Sequence, residues 1–304
     1  MTEHELSTDR ELNASPRMLP LFARAGLAML PGASRLPFVG GGGGQVPTQA
    51  LALSVGTDRD RLAAYDRVCG FPLSDTVPLT WPHMLAFPLQ LALISSGEFP
   101  LAAIGLVHIT NRIVSHRPIG AGETLDLRVW AGPLAAHPRG TQFAIHTEAR
   151  AGGELVWEEV SVNLRRGTPP GDGGDVDRSM LIDPPSSESL PMSATWRLPG
   201  DLGRRYGAVS GDLNPIHVHP LTARLFGFPS AIAHGMWTAA RCLAAIGPLR
   251  HEAVTAEVAF KRPILLPATV AFAEARQPGK LRFGVRDAKR DTPHLDGLLS
   301  FSRA

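Results

Sequence analysis

Cysteine is scarce in this sequence. Cys69 and Cys242 are the two in 304 residues. Both lie in apolar, helix-like surroundings, so two buried thiols in a reducing compartment are expected rather than a disulfide framework. An excess of one charge is also missing. A net charge of +2 gives no argument for nucleic acid, although a local basic cleft could still serve an anionic ligand. Long apolar runs are absent. The longest, near Leu85–Ile94, falls well short of the roughly 20 residues of a membrane-spanning helix. The start, MTEHELSTDRELNASPRM, is polar and mixed in charge, without the basic start and apolar core of a secretion signal. Phosphate-binding loops are missing too. GGGGG at Gly40–Gly44 has no Lys-Ser/Thr after it and no clear strand before it, so it is read as a flexible break. No Rossmann glycine pattern follows a strand. The expectation is a soluble cytoplasmic protein that binds no nucleic acid and spans no membrane.

What is present suits a sizeable core, with 44% hydrophobic and 19% charged residues. The length fits two domains of roughly 150 residues. A Pro-, Gly-, Ser- and Asp-rich stretch from Arg166 to Pro191 reads as an interdomain linker. The expected division is an extension over 1–45, a first half over 46–166, a linker over 167–191 and a second half over 192–304.

The halves share an order of parts. The first has a helix-like DRDRLAAYDRVCG, an apolar HMLAFPLQLALISS, then strand-like AIGLVHITNRIVS, ETLDLRVWAG, TQFAIHTEAR and ELVWEEVSVNLRR. The second has DLGRRYGAVSG, HGMWTAARCLAAIG, then TAEVAFKRPI, TVAFAEAR, LRFGVRDA and a last strand near Leu298. Arg117-Pro118-Ile119 and Arg262-Pro263-Ile264 each end a strand, with Thr124 and Thr269 at matching distances. Tyr65 and Tyr206 precede the two sets. The ordered matches argue for duplication, and a helix followed by about four antiparallel strands gives an α+β layer in each half.

One loop concentrates chemistry. YGAVSGDLNPIHVHPLTA, from Tyr206 to Ala223, has too few apolar positions for core. The pattern Tyr206-x-x-Val209-Ser210-Gly211-Asp212-x-Asn214-Pro215-Ile216-His217-x5-Ala223 resembles the signature of MaoC-like (R)-specific enoyl thioester hydratases, also called hydratase 2. AIAHGMWTAARCLA and FKRPILLPATV resemble the family's central helix and thioester-facing strand. The overall plan, from about residue 45 onward, is similar to two-hot-dog 3-hydroxyacyl thioester dehydratases of actinobacterial type. The resemblance implies a double hot-dog fold, in which two antiparallel sheets each wrap a central helix. It also implies reversible hydration of trans-2-enoyl thioesters to (R)-3-hydroxyacyl thioesters.

The residue chemistry agrees with that implication. A carboxylate and an imidazole a loop's width apart can hold one water and move its proton. The resemblance makes Asp212 and His217 the catalytic pair and leaves open which is the base. Asn214 can bond within the loop and fix the aspartate, and Pro215 can start a helix. Gly235, at the start of HGMWTAARCLA, is the candidate whose N–H would stabilise the enolate oxygen. Tyr206 and Ser210 are placed with the substrate. Lys261 and Arg262 are candidates for the phosphates of CoA or the phosphopantetheine arm of an acyl carrier protein. His217-x-His219 with His234 raises zinc, but the spacing matches no closed set and no Cys completes it. No metal is expected, and no cofactor beyond the carrier of the substrate.

The first half lacks the loop, so it is read as non-catalytic. Trp81-Pro82-His83 and the apolar helix would line a binding surface. Pro88, inside that helix, is expected to kink or interrupt it and open volume for medium to long acyl tails. Each half resembles one hot-dog subunit, so the chain is expected to be a pseudo-dimer, with a homodimer of the whole chain left open. Two competing functions are a hot-dog thioesterase and a non-catalytic acyl-thioester binding protein.

Overall fold

The computed structural model describes residues 7–27, 45–103, 105–167, 178–249 and 253–301. The Gly40–Gly44 break and residues 168–177 of the linker lie outside the described residues. In chain order the elements are β1 (Ser7–Glu11), α1 (Met18–Leu27), β2 (Gln49–Gly56), α2 (Arg59–Cys69), α3 (Trp81–Ile94), β3 (Leu106–Ser115), β4 (Thr124–Ala131), β5 (Ala135–His137), β6 (Gly140–Ala151) and β7 (Glu154–Arg166). They continue with β8 (Met192–Leu198), α4 (Leu202–Ser210), α5 (Pro215–Val218), α6 (Pro220–Leu225), α7 (Gly235–Ile246), β9 (Val254–Phe260), β10 (Ala268–Gln277), β11 (Lys280–Asp287) and β12 (Pro293–Phe301). Among the described residues, no helix is long and apolar enough to cross a membrane.

The chain forms two compact units that interleave in sequence. One comprises Met1–Gly56, Pro82–His108 and Thr124–Leu181; the other Thr57–Trp81, Ile109–Glu123 and Ile182–Ala304. Thus residues 57–81 and 109–123, grouped with the first half on sequence order, pack with the second.

In the first unit the strands run β1-β2-β4-β6-β7, with β5 against β6. Along β4 the buried Leu125, Leu127, Val129 and Ala131 alternate with the outward Thr124, Asp126, Arg128 and Trp130. From Pro82 onward α3 is apolar on nearly all sides and almost wholly buried. It runs unbroken through Pro88, where a kink or an interruption was expected. Its buried neighbours, including Leu85, Leu89 and Leu91, hold the helix by packing despite the lost hydrogen bond. A polar network also anchors it. His83 Nδ1 lies 2.7 Å from Glu159 Oε1, and Gln90 Nε2 donates to Thr147 Oγ1 and Glu159 Oε2.

In the second unit the antiparallel order is β3-β9-β12-β11-β10-β8, with β3 contributing from Ile109. Helices α2, α4 and α7 belong to this unit. Asp58 caps α2 by accepting from the N–H groups of Asp60 and Arg61. Cys69 and Cys242 are free and buried, and burial pushes both thiols up. The described end of the stretch read as a linker is fixed in place. Buried Ser187 donates from N and Oγ to Asp296 Oδ1 at 2.9 and 2.6 Å.

The duplication is visible bond by bond. Helices α2 and α4 each end on a left-handed glycine, Gly70 and Gly211, five residues after Tyr65 and Tyr206. Val77 N–H donates to Ile119 O as Ala233 N–H does to Ile264 O, and Ala121 N–H donates to Asp75 O as Leu266 N–H does to Ala231 O. Isolated bridges pair Thr76 with Gly120 and Ile232 with Leu265. Thr76 therefore corresponds to Ile232. The chain needs 6 residues from Gly70 to Thr76 but 21 from Gly211 to Ile232. The extra length carries α5 and α6, so the chemistry-bearing loop is an insertion into one of two related frames.

Candidate active site

The loop is seated on α4 by what α4 lacks. A Cβ on Gly203 would lie 1.9 Å from the His217 carbonyl oxygen, and one on Gly207 would lie 2.8 Å from that of Asp212. These two glycines, one helical turn apart, let the returning backbone touch the helix. The loop then ties itself. Asp212 N–H donates to Ser210 Oγ at 3.0 Å, and Asn214 N–H to Asp212 Oδ1 at 3.1 Å. Asn214 Oδ1 accepts from Ile216 N–H at 3.4 Å, capping α5, which begins at Pro215. The Asx turn thus fixes one carboxylate oxygen.

His217, on α5, donates Nδ1–H to the Ile232 carbonyl at 2.8 Å, since a carbonyl can only accept. His234, the N-cap of α7, donates Nε2–H to the Asp212 carbonyl at 3.0 Å, and the same nitrogen is 3.7 Å from Asp212 Oδ2. The two imidazoles stack with centroids 3.7 Å apart. One donor atom from each of Asp212, His217 and His234 lies within 4.8 Å of the others. Burial pushes His217 below the ordinary histidine value, against the pull of the Asp212 carboxylate and the Ile232 carbonyl. Burial, then neighbouring His217, holds His234 down to about 3.

Such a cluster can grip a small molecule. Two acceptors that share one water at about 2.8 Å each sit no more than roughly 5–6 Å apart, and the three groups lie within that limit. The same three residues are the described group most able to hold a metal. A zinc tetrahedron with bonds of about 2.0–2.1 Å has edges near 3.3 Å, against 3.7 Å between His234 Nε2 and Asp212 Oδ2.

Comparisons with known proteins give the family. Residues 186–296 match the MaoC like domain family. The 3-hydroxyacyl-thioester dehydratase X of Mycobacterium tuberculosis is 36% identical over 258 residues, which cover 83% of this chain and 89% of that protein. The chain belongs to the MaoC-like dehydratase family. A crystal structure of HtdX from M. tuberculosis superposes with a TM-score of 0.71 at 34% identity, over 83% of this chain and all of that one. A MaoC-like dehydratase from Phytophthora capsici gives 0.70 at 18% identity, over 84% and 95% of the two chains. A conserved hypothetical M. tuberculosis protein described as a double hotdog gives 0.56 at 14%, over 82% and 93%. The α+β double hot-dog expected from the sequence is therefore the fold.

In this MaoC-like chain the other expected site residues are placed unevenly. Tyr206 and Ser210 are each about 2% exposed. Tyr206 packs on Tyr65 and His234, and Ser210 Oγ is used by the loop. Trp81 is fully buried, with Nε1–H on Thr57 Oγ1, and Pro88 is buried inside α3. These four present packing rather than open surface. Gly235 begins α7, and a Cβ there would meet the Phe260 ring at 3.0–3.2 Å. Lys261 and Arg262 follow Phe260 and are exposed, with Lys261 Nζ 3.6 Å from Asp296 Oδ2. His219 caps α6 through Nδ1. Two residues beside the site were not placed there from the sequence. His234 was weighed only for a zinc set and as a residue that caps or packs against the helix. Arg61 comes from α2 and donates Nε–H to the Val209 carbonyl at 2.9 Å, placing its charge at the C-terminus of α4. Helix capping at Asp58 signals where α2 starts, but nothing local signals a partner that far along the chain.

Proposed function

We propose that this chain catalyses the reversible hydration of trans-2-enoyl thioesters to (R)-3-hydroxyacyl thioesters, with CoA or an acyl carrier protein as the carrier. The observation that carries the reading is the Asp212–His217 arrangement, in which the tautomer of His217 is set by Ile232. With Nδ1 protonated, Nε2 is the nitrogen left to accept a proton. A water held between Nε2 and the Asp212 carboxylate loses one proton to His217 as its oxygen bonds to C3. The C2–C3 π electrons move toward the thioester, whose oxygen becomes an enolate. The imidazolium then delivers its proton to C2, so proton and charge balance.

The N–H at the start of α7, at Gly235, is the proposed donor to the enolate oxygen. A helix N-terminus supplies unpaired donors and a favourable dipole. No step of this reaction runs through a metal or redox cofactor. Arg262 and Lys261, at the exposed end of the strand that packs Phe260 on Gly235, are the proposed contacts to carrier phosphates. The segment over 192–304 is proposed as the chemical half and 46–166 as non-catalytic, because the inserted loop is present only once. Medium to long acyl chains are proposed on the sequence argument from Pro88.

Crotonyl-CoA separates the readings. Hydration removes the enoyl absorbance without releasing thiol. Thiol release would mean a thioesterase, and neither change would mean a binding protein. A chain-length series on both carriers tests the substrate range.

A further inference from the structure

His234 takes no part in the proposed proton transfers, yet it is the most enclosed member of the cluster. It is 3% exposed, with its ring between Tyr206 at 4.8 Å and His217 at 3.7 Å. The bond from Nε2–H to the Asp212 carbonyl leaves the lone pair on Nδ1. That Nδ1 is buried and has no hydrogen-bond partner among the described residues. The other tautomer would set two acceptors against each other at Nε2. A buried, unpaired acceptor is destabilising. A phenylalanine ring would fill the same gap between Tyr206 and His217 without it, so packing alone does not call for histidine. What the imidazole adds is one N–H on the Asp212 carbonyl.

The backbone of the same residue has a second job. His234 is the N-cap of α7, and its carbonyl accepts from Thr238 N–H and Oγ–H at 3.1 Å each. One residue therefore joins the loop that carries Asp212 to the helix start that carries Gly235. We propose that His234 is a positioning residue: its side chain clamps Asp212 beside His217 while its backbone sets α7, so carboxylate, imidazole and enolate donor are held as one unit. Because the ring stays neutral, it places no positive charge next to His217 when that group takes up a proton. The proposal rests on Asp212 and His217 being the catalytic pair.

The test is kcat and KM on crotonyl-CoA for His234→Phe and His234→Gln, with Asp212→Asn alongside. Phe keeps the ring and removes the donor; Gln keeps an N–H of similar reach and removes the ring. The expected result is a kcat about 10-fold or more lower for Phe, with KM within about 3-fold, and recovery of most of that loss by Gln. Wild-type kcat in a folded Phe variant overturns the proposal, as does a Gln variant no better than Phe. If Asp212→Asn keeps its activity, the catalytic reading fails and takes the proposal with it. If Asp212→Asn is inactive while His234→Phe is not, only the positioning role fails. Should the Phe variant not fold, nitrogen NMR of the wild-type imidazoles decides. A neutral His234 with its proton on Nε2 between about pH 5 and 9 supports the proposal. A proton on Nδ1, or a charged ring in that range, overturns it.

Discussion

His217 donates Nδ1–H to the Ile232 carbonyl at 2.8 Å, so its reactive nitrogen is chosen by a backbone atom that sits 15 residues away in sequence. For hydration the neutral ring is the working form. Burial favours that form and lowers the His217 pKa. The sign follows: kcat/KM should stay flat on going down through neutral pH and fall only below the ordinary histidine value of about 6.5. A pH–rate profile whose acid limb lies at or above that value would contradict the assignment.

Gly203 has no room to change. Its Cβ would meet the His217 carbonyl oxygen, a backbone atom, at 1.9 Å. Gly203→Ala should cost about 1–3 kcal/mol of stability and lower kcat by about 10-fold or more through displacement of His217. Thermal melts and steady-state kinetics on the purified variant check both. Unchanged kcat at an unchanged melting temperature would mean that α5 is not seated on α4 as described.

Asp66 is a buried carboxyl at 4% exposure whose Oδ1 has no hydrogen-bond partner among the described residues. Burial pushes its pKa up to about 6. The folded value lies above the unfolded value of about 3.9. Its contribution to stability is thus full below about pH 4 and lost as pH rises through about 6. Asp66→Asn, which cannot ionise, should raise the melting temperature at pH 7–8 relative to wild type, and the advantage should shrink toward pH 4. A constant difference across that range would remove the titration from the explanation.

Lys261→Ala with Arg262→Ala should raise KM for a CoA or carrier-bound substrate and flatten its dependence on salt, since both groups are exposed. Lys261 is partly engaged by Asp296 at 3.6 Å, so Arg262 should account for most of the effect. KM titrations in rising NaCl, on the single and double variants, read this directly. A salt response identical to wild type would make both ordinary surface charges.

The sequence showed the loop because its residue types are wrong for core and its spacing is regular. It showed α2 as the helix-like DRDRLAAYDRVCG, whose first and last residues, Asp58 and Gly70, are the two caps of that helix. Strand β7 was read with its observed ends because ELVWEEVSVNLRR alternates over its length. What was not legible depended on distance. Arg61 reaches a carbonyl 148 residues away. Residues 57–81 and 109–123 pack outside their sequence half, which no local pattern encodes. The strands β2 and β8 border the glycine break and the linker, where turn-forming composition masks them. The interruption expected at Pro88 does not occur, because helix propensity is a local quantity, whereas the burial that holds α3 together comes from the rest of its unit.

The central claim is that Asp212 and His217 share the water that adds to the enoyl thioester. The most direct measurement is kcat for crotonyl-CoA hydration by Asp212→Asn, His217→Ala and the double variant, each checked for folding by circular dichroism. Each single change should lower kcat by at least about 10²-fold, and the double variant should lose little more than the worse single, because the two act on one water. A folded double variant with near wild-type hydration would contradict the account.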